Sequence, residues 1–253
     1  MSNIIFLMGE QPDYDLFSDQ WNLSKIDVTE AWDITKGSSS IKLAVLGIGV
    51  ELDHDDLKSN LTEINPGNKP LPSNRGLYHE TCISGIASAT TDNGAGIAGI
   101  GYKCQIVPIK FQKYNNSSED FPTSNCAEAI KWAWENGVDV INLSYSGDFN
   151  NKKTLANAIN SAINNGRNGK GSIVVVSAGN NGNILFPATL SNVIAVGMTD
   201  NNDNRVSGSP KGSELDVMAP GKVPATDLMG PAGDTFGNYV IDDPPALHIQ
   251  PHT

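Results

Sequence analysis

Residues 41–47 read IKLAVLG, and this run decides the fold. It is apolar without alternation, so a strand made from it is covered on both faces. Five further runs share that character: 104–110 (CQIVPIK), 138–143 (VDVINL), 172–177 (SIVVVS), 193–197 (VIAVG) and 215–218 (LDVM). Stretches of helical period lie between them. Residues 123–136 (TSNCAEAIKWAWEN) bring Ala127, Ile130, Ala133 and Trp134 to helical spacing, with Gly137 as the stop. Residues 154–165 (TLANAINSAINN) repeat the pattern and stop at Gly166. Strand and helix in alternation specify an α/β fold with a mostly parallel central sheet and right-handed crossovers. Ligands of such sheets bind beyond the carboxyl ends of the strands. That rule groups Gly47, residues 143–147 and the loop at Asn180 into one expected site.

The bulk properties narrow the class. A chain of 253 residues, 39% hydrophobic and 18% charged, suits one globular domain. Its net charge of -11 argues against nucleic acid as a partner, because phosphate binding needs basic patches. The cysteines Cys82, Cys104 and Cys126 form neither a disulfide framework nor a zinc spacing. The first residues, MSNIIFLMGEQPDY, have no basic lead and only five apolar residues in a row, so no export signal is expected from them. No apolar run is long enough to span a membrane. Location stays open on these grounds. Loops are expected at 65–76, 114–122, 180–183 and 200–212, where Asn, Gly, Ser and Pro cluster.

Four stretches resemble the subtilases, and they occur in that family's order. Residues 20–37 (QWNLSKIDVTEAWDITKG) resemble the start of the mature domain. Residues 44–57 (AVLGIGVELDHDDL) resemble the strand and turn V-I-D-T-G-V…H-P-D-L. Residues 79–100 (HETCISGIASATTDNGAGIAGI) resemble H-G-T-x-V-A-G-I-x-A…N-G-x-G-x-A-G, and 174–183 (VVVSAGNNGN) resemble the A-A-G-N oxyanion loop. The resemblance implies a three-layer subtilisin-like fold and serine-peptidase chemistry. In that chemistry a Ser attacks the carbonyl, a His takes its proton, an Asp orients the His, and an Asn helps hold the oxyanion. It further implies that His79 is the general base and Asn180 the oxyanion donor. Asn142 resembles the structural Asn at the end of its strand. Ser144, Tyr145, Ser146 and Gly147 resemble the segment that pairs with an extended peptide by strand addition, with Ser177, Ala178 and Gly179 on the other side. Tyr145 and Ser146 stand where Leu-Gly is usual, so an altered specificity pocket is expected.

The departures fall on the catalytic groups. Gly47 occupies the position of the lost Asp, Ile48 that of the Thr beside it, and Glu80 that of the Gly after the histidine. Glu80 adds bulk where a small residue is expected, and an adjacent side chain is a poor partner for His79 Nδ1. After residues 237–240 (GNYV) the family continues G-T-S-x-A-x-P-H, whereas this chain reads IDDPPALHIQPHT. Alignment of the final Pro-His puts Leu247, or Ala246 one residue off, at the nucleophile position. The expectation is a subtilisin-like domain over 20–241, after an extension over 1–19 and before an irregular tail over 242–253. It lacks the Ser-bearing helix region and is inactive. The alternatives are a pseudoprotease that binds an extended peptide, or a fragment completed by a partner chain covering the gap left by that helix. Cys82, three residues after His79, is expected to be a buried thiol and no substitute nucleophile. The resemblance also implies a structural Ca²⁺ held by Asp56, by the carbonyls of Thr90 and Ile97, by the Asn93 side-chain oxygen, with Ala95 as a further carbonyl, and by Asp13 or Asp15 from the N-terminal segment.

Overall fold

The computed structural model describes residues 17–62, 78–111, 123–227 and 229. Asp13, Asp15, the expected loops at 65–76 and 114–122, and the tail with Ala246 and Leu247 lie outside them.

Each of the six apolar runs forms a strand: β1 (Lys42–Gly47), β2 (Gln105–Lys110), β3 (Val140–Leu143), β4 (Ile173–Ser177), β5 (Ile194–Thr199) and β6 (Val217–Pro220). They make one sheet in the order β2-β1-β3-β4-β5-β6, and every pairing is parallel. Register follows the runs residue for residue, with Ala44 opposite Val107 and Ile141, and Asn142 opposite Val175.

Among the described residues five α-helices accompany the strands: α1 (Trp21–Lys25), α2 (Val28–Ile34), α3 (Tyr78–Ser88), α4 (Thr123–Glu135) and α5 (Lys152–Gly169). Helix α4 turns off at Gly137, whose φ of +75° is a conformation that costs a side-chain-bearing residue strain. Helix α5 starts under Asn151, whose side chain accepts the N–H of Thr154 at 3.1 Å. Its helical dihedrals stop at Gly166, as the sequence spacing predicts.

One layer packs Cys126, Ala129, Ile130 and Ala133 of α4 and Leu155, Ile159 and Ala162 of α5 against Ala44, Leu46, Val107, Ile109, Ile141 and Val174. On the opposite face Val45 and Ile106 pack with Ala89, Ile97, Leu57 and Val50 around α3. Strand β1 thus buries alternate residues on both sides, which is why its run shows no alternation. The N-terminal helices are tied to this second layer. Gln20 pairs both amide atoms with the backbone of Ala98, at 2.9 and 2.7 Å, and Trp32 Nε1–H donates to the Ile100 carbonyl at 2.9 Å.

The α3 side ends early. Along β3 to β6 every residue on that face is only partly covered: Val140 and Asn142, then Val175 and Ser177, then Val196 and Met198, then Ala219. At the strand starts Ile173, Ile194 and Val217 are 42%, 39% and 47% exposed. Parallel sheets ordinarily carry a layer on each face. Here half the sheet has a full layer on one face alone among the described residues.

Candidate active site

Gly47 ends β1, Ser144 follows β3, and Ser177 ends β4 with Ala178, Gly179 and Asn180 beyond it. These three strands are neighbours in the sheet, so the topology brings the three segments to one carboxyl edge. Helix α3 adds His79 in its first turn, packed against β1. The grouping expected from the strand pattern is the one observed.

The segment after β3 is fixed from below. Asn142 donates through Nδ2 to Ser144 Oγ at 2.8 Å, and the N–H of Gly147 donates to the Phe186 carbonyl at 2.8 Å. Tyr145 stacks edge-on with Phe149, which stacks on Phe186, so its ring lies in an aromatic row rather than in solvent. The loop after β4 turns at Gly179, whose φ is +114° and whose N–H donates to Ser177 Oγ. Ala178 is anchored on both sides, donating to the Val196 carbonyl and accepting from the N–H of Leu185, each at 2.9 Å. Asn180 is left half-buried at the rim.

His79 lies in the first turn of α3, but its partner is not what the sequence suggests. His79 is 8% exposed and Glu80 4%. His79 Nδ1 lies 3.2 Å from Glu80 Oε1, so the adjacent carboxylate does reach the ring. The expectation that a neighbouring residue is a poor partner is corrected. The physical reason is the glycine opposite. A Cβ built on Gly47 would overlap Glu80 Oε1 and Cδ and come within 2.7 Å of Cγ. The Glu80 side chain therefore fills the volume that a side chain at 47 would take, and its bulk is accommodated there. An ionised carboxylate only accepts, so with Glu80 in that form the proton of this bond belongs on Nδ1 and Nε2 is the free ring nitrogen. Glu80 Oε2 is buried without a partner. The signal for this residue was in the sequence as two reciprocal departures, Gly for acid at 47 and acid for Gly at 80. Neither alone pointed to it.

Cys82 is 2% exposed, and burial pushes its thiol far above the range in which a thiolate forms. It is a core residue, as expected.

A segment that the sequence motifs did not single out closes over α3. Thr226 Oγ1 donates to the Thr81 carbonyl at 2.7 Å, His54 Nε2 bonds the Asp227 carbonyl at 2.8 Å, and the N–H of Met229 donates to Glu51 Oε2 at 2.8 Å. His54 Nδ1 accepts the N–H of Asp56, which leaves Nε2 as the donor.

Three of the residues expected around a cation, Asp56, Asn93 and Ile97, are in contact through Asp56. Asp56 is 2% exposed; Oδ1 accepts from Asn93 Nδ2 at 2.8 Å and Oδ2 from the N–H of Ile97 at 3.0 Å. Burial outweighs these bonds and raises its pKa. A buried carboxylate matches a hard cation in charge, but both Asp56 oxygens are taken by N–H donors that a cation would have to displace. Asn93 turns its nitrogen to Asp56 and its oxygen to the N–H of Ala95, so it would have to rotate its amide to serve as a ligand. Thr90 contributes its N–H to the Asp56 carbonyl at 2.7 Å. No group of three His, Cys, Asp or Glu side chains suited to a metal occurs among the described residues.

An all-parallel sheet thus brings a buried imidazole–carboxylate pair and an Asn-bearing loop to its carboxyl edge. Comparison with known proteins gives the family. The Subtilase family (Peptidase_S8) matches residues 38–240, and the chain belongs to it. The chain is 40% identical over 208 residues to Thermitase of Thermoactinomyces vulgaris, covering 81% of this chain and 71% of that protein. It is 40% identical over 197 residues to the Thermophilic serine proteinase of Bacillus sp. (strain AK1), covering 76% of this chain. It spans only 46% of that second relative's length. The Minor extracellular protease Epr of Bacillus subtilis (strain 168) is 31% identical, with 87% of this chain and 34% of that protein covered. Among solved structures, a protease from Pseudoalteromonas arctica PAMC 21717 matches with a TM-score of 0.69 at 27% identity, over 86% of this chain and 74% of that one. The expected subtilisin-like α/β fold with a parallel central sheet is thereby shown.

Proposed function

We propose that these 253 residues form a subtilisin-type endopeptidase framework that can hold an extended peptide but has no turnover of its own. The observation that carries the reading is the missing nucleophile motif at its expected place: directly after 237–240 (GNYV) the residues read IDDPPALHIQPHT, with no counterpart of G-T-S-x-A-x-P-H. Attack on an amide requires the activated hydroxyl as well as the imidazole. In subtilisin itself, removal of the Ser costs about 2 × 10⁶ in kcat, a figure that belongs to that enzyme and sets the scale here.

The peptide would pair with 144–147 on one side and with Ser177, Ala178 and Gly179 on the other. A Ca²⁺ ion on Asp56, with Asn93 rotated and the carbonyls of Thr90 and Ile97, would brace the loop after α3 and leave the chemistry untouched. Asp15 would add a second carboxylate. Secretion is proposed on the strength of the extracellular relative.

The test is hydrolysis of denatured casein together with labelling by a phosphonofluoridate. Neither should occur. Labelling of purified protein would overturn the reading. Titration calorimetry with unstructured peptides should show heat of binding that substitution of Ser146 by Pro removes.

A further inference from the structure

We infer that Glu80 has taken over the place of the missing strand carboxylate, as the positioning residue that orients His79. The inference rests on His79 being the base of a subtilase site, as proposed above. It does not depend on whether the chain turns over.

Three observations converge on it. The Glu80 carboxylate bonds His79 at Nδ1, the nitrogen that must hold the proton if Nε2 is to face a nucleophile. It lies in the space that a side chain on Gly47 would occupy, so strand and helix have exchanged large and small residues across one contact. Both groups are buried, and a carboxylate placed there without a role would carry a desolvation cost that nothing requires. A Glu reaches from the helix the point that a shorter Asp reaches from the strand. The bond keeps its direction along Nδ1–H, while the backbone that supplies the acid changes. Glu80 Oε2 remains without a donor, so this carboxylate is held by fewer bonds than a fully networked one.

The arrangement has a consequence for repair. Introducing an acid at 47 while Glu80 remains would crowd two carboxylates into one buried volume, where like charges oppose each other's ionisation. Restoring the strand acid alone should therefore disturb the histidine.

The experiment is proton and nitrogen NMR of the imidazoles in the full chain, comparing the unaltered protein with Glu80→Gln, Glu80→Ala and the exchange Gly47→Asp/Glu80→Gly. The unaltered protein should show His79 as the Nδ1–H tautomer, with the strongly downfield Nδ1 proton of a carboxylate-bonded ring. That resonance should move upfield in Glu80→Gln, vanish in Glu80→Ala and return in the exchange variant. The near-isosteric Gln keeps the test informative if the Ala variant unfolds. A His79 resonance unchanged by Glu80→Gln, or a ring in the Nε2–H tautomer, overturns the inference. Failure of the inactivity reading would appear separately, as labelling by the serine-directed probe.

Discussion

Substituting Gly47→Ala measures how the glycine and Glu80 depend on each other. The new methyl would overlap Glu80 Oε1 and Cδ and crowd Cγ, so the whole side chain has to swing out. Overpacking of a core contact costs about 1–3 kcal/mol. Displacing the carboxylate also breaks its bond to His79 at 3.2 Å, and a hydrogen bond to a charged group contributes about 1.5–3 kcal/mol. Gly47→Ala should therefore destabilise the chain by about 3 kcal/mol or more, with both terms acting together. In a Glu80→Ala background the volume is already free. There the same substitution should be near neutral, since Ala suits a strand better than Gly by roughly 0.5–1 kcal/mol. Residues sharing one cavity show coupling energies of about 0.5–3 kcal/mol, and this pair should fall at the upper end. Urea unfolding followed by tryptophan fluorescence, on the four chains of the cycle, gives the value. Equal costs of Gly47→Ala in the two backgrounds would refute the shared-volume argument.

Millimolar Ca²⁺ should raise the melting temperature relative to EDTA, and Asp56→Asn should abolish the response; scanning calorimetry of both proteins decides it. Without Ca²⁺ the raised pKa of Asp56 sets the sign of a pH effect. Its contribution is fully present below the unfolded value of 3.8 and is lost as pH rises through the higher folded value, so urea midpoints in EDTA should show this fall for the unaltered chain and not for Asp56→Asn. Native-state alkylation by iodoacetamide, read by mass spectrometry, should modify half-buried Cys104 well before Cys82 or Cys126, both buried with thiol pKa values pushed up. Ile130→Ala, at a fully buried α4 position, should cost about 2–5 kcal/mol in the same urea assay.

The amino-acid order alone determined the sheet, the two helices on its better-covered face and the edge where the site lies. These are local properties. An apolar run without alternation, a helical spacing and a stopping glycine act over a few residues, and the parallel order follows from the crossovers that join them. The placement of His79, Asn180 and the 144–147 segment near one sheet edge was legible because a short motif holds each in its own loop or helix turn. The partner of His79 was decided only by tertiary structure. Glu80 reaches Nδ1 because α3 packs its first turn on the end of β1, where Gly47 presents an empty volume from a strand far earlier in the chain. The orientation of the Asn93 amide was settled in the same way, by the Asp56 carboxylate on one side and the Ala95 N–H on the other. A sequence specifies which residues differ from a pattern, but whether two differences cancel depends on the distance between side chains, and folding sets that distance.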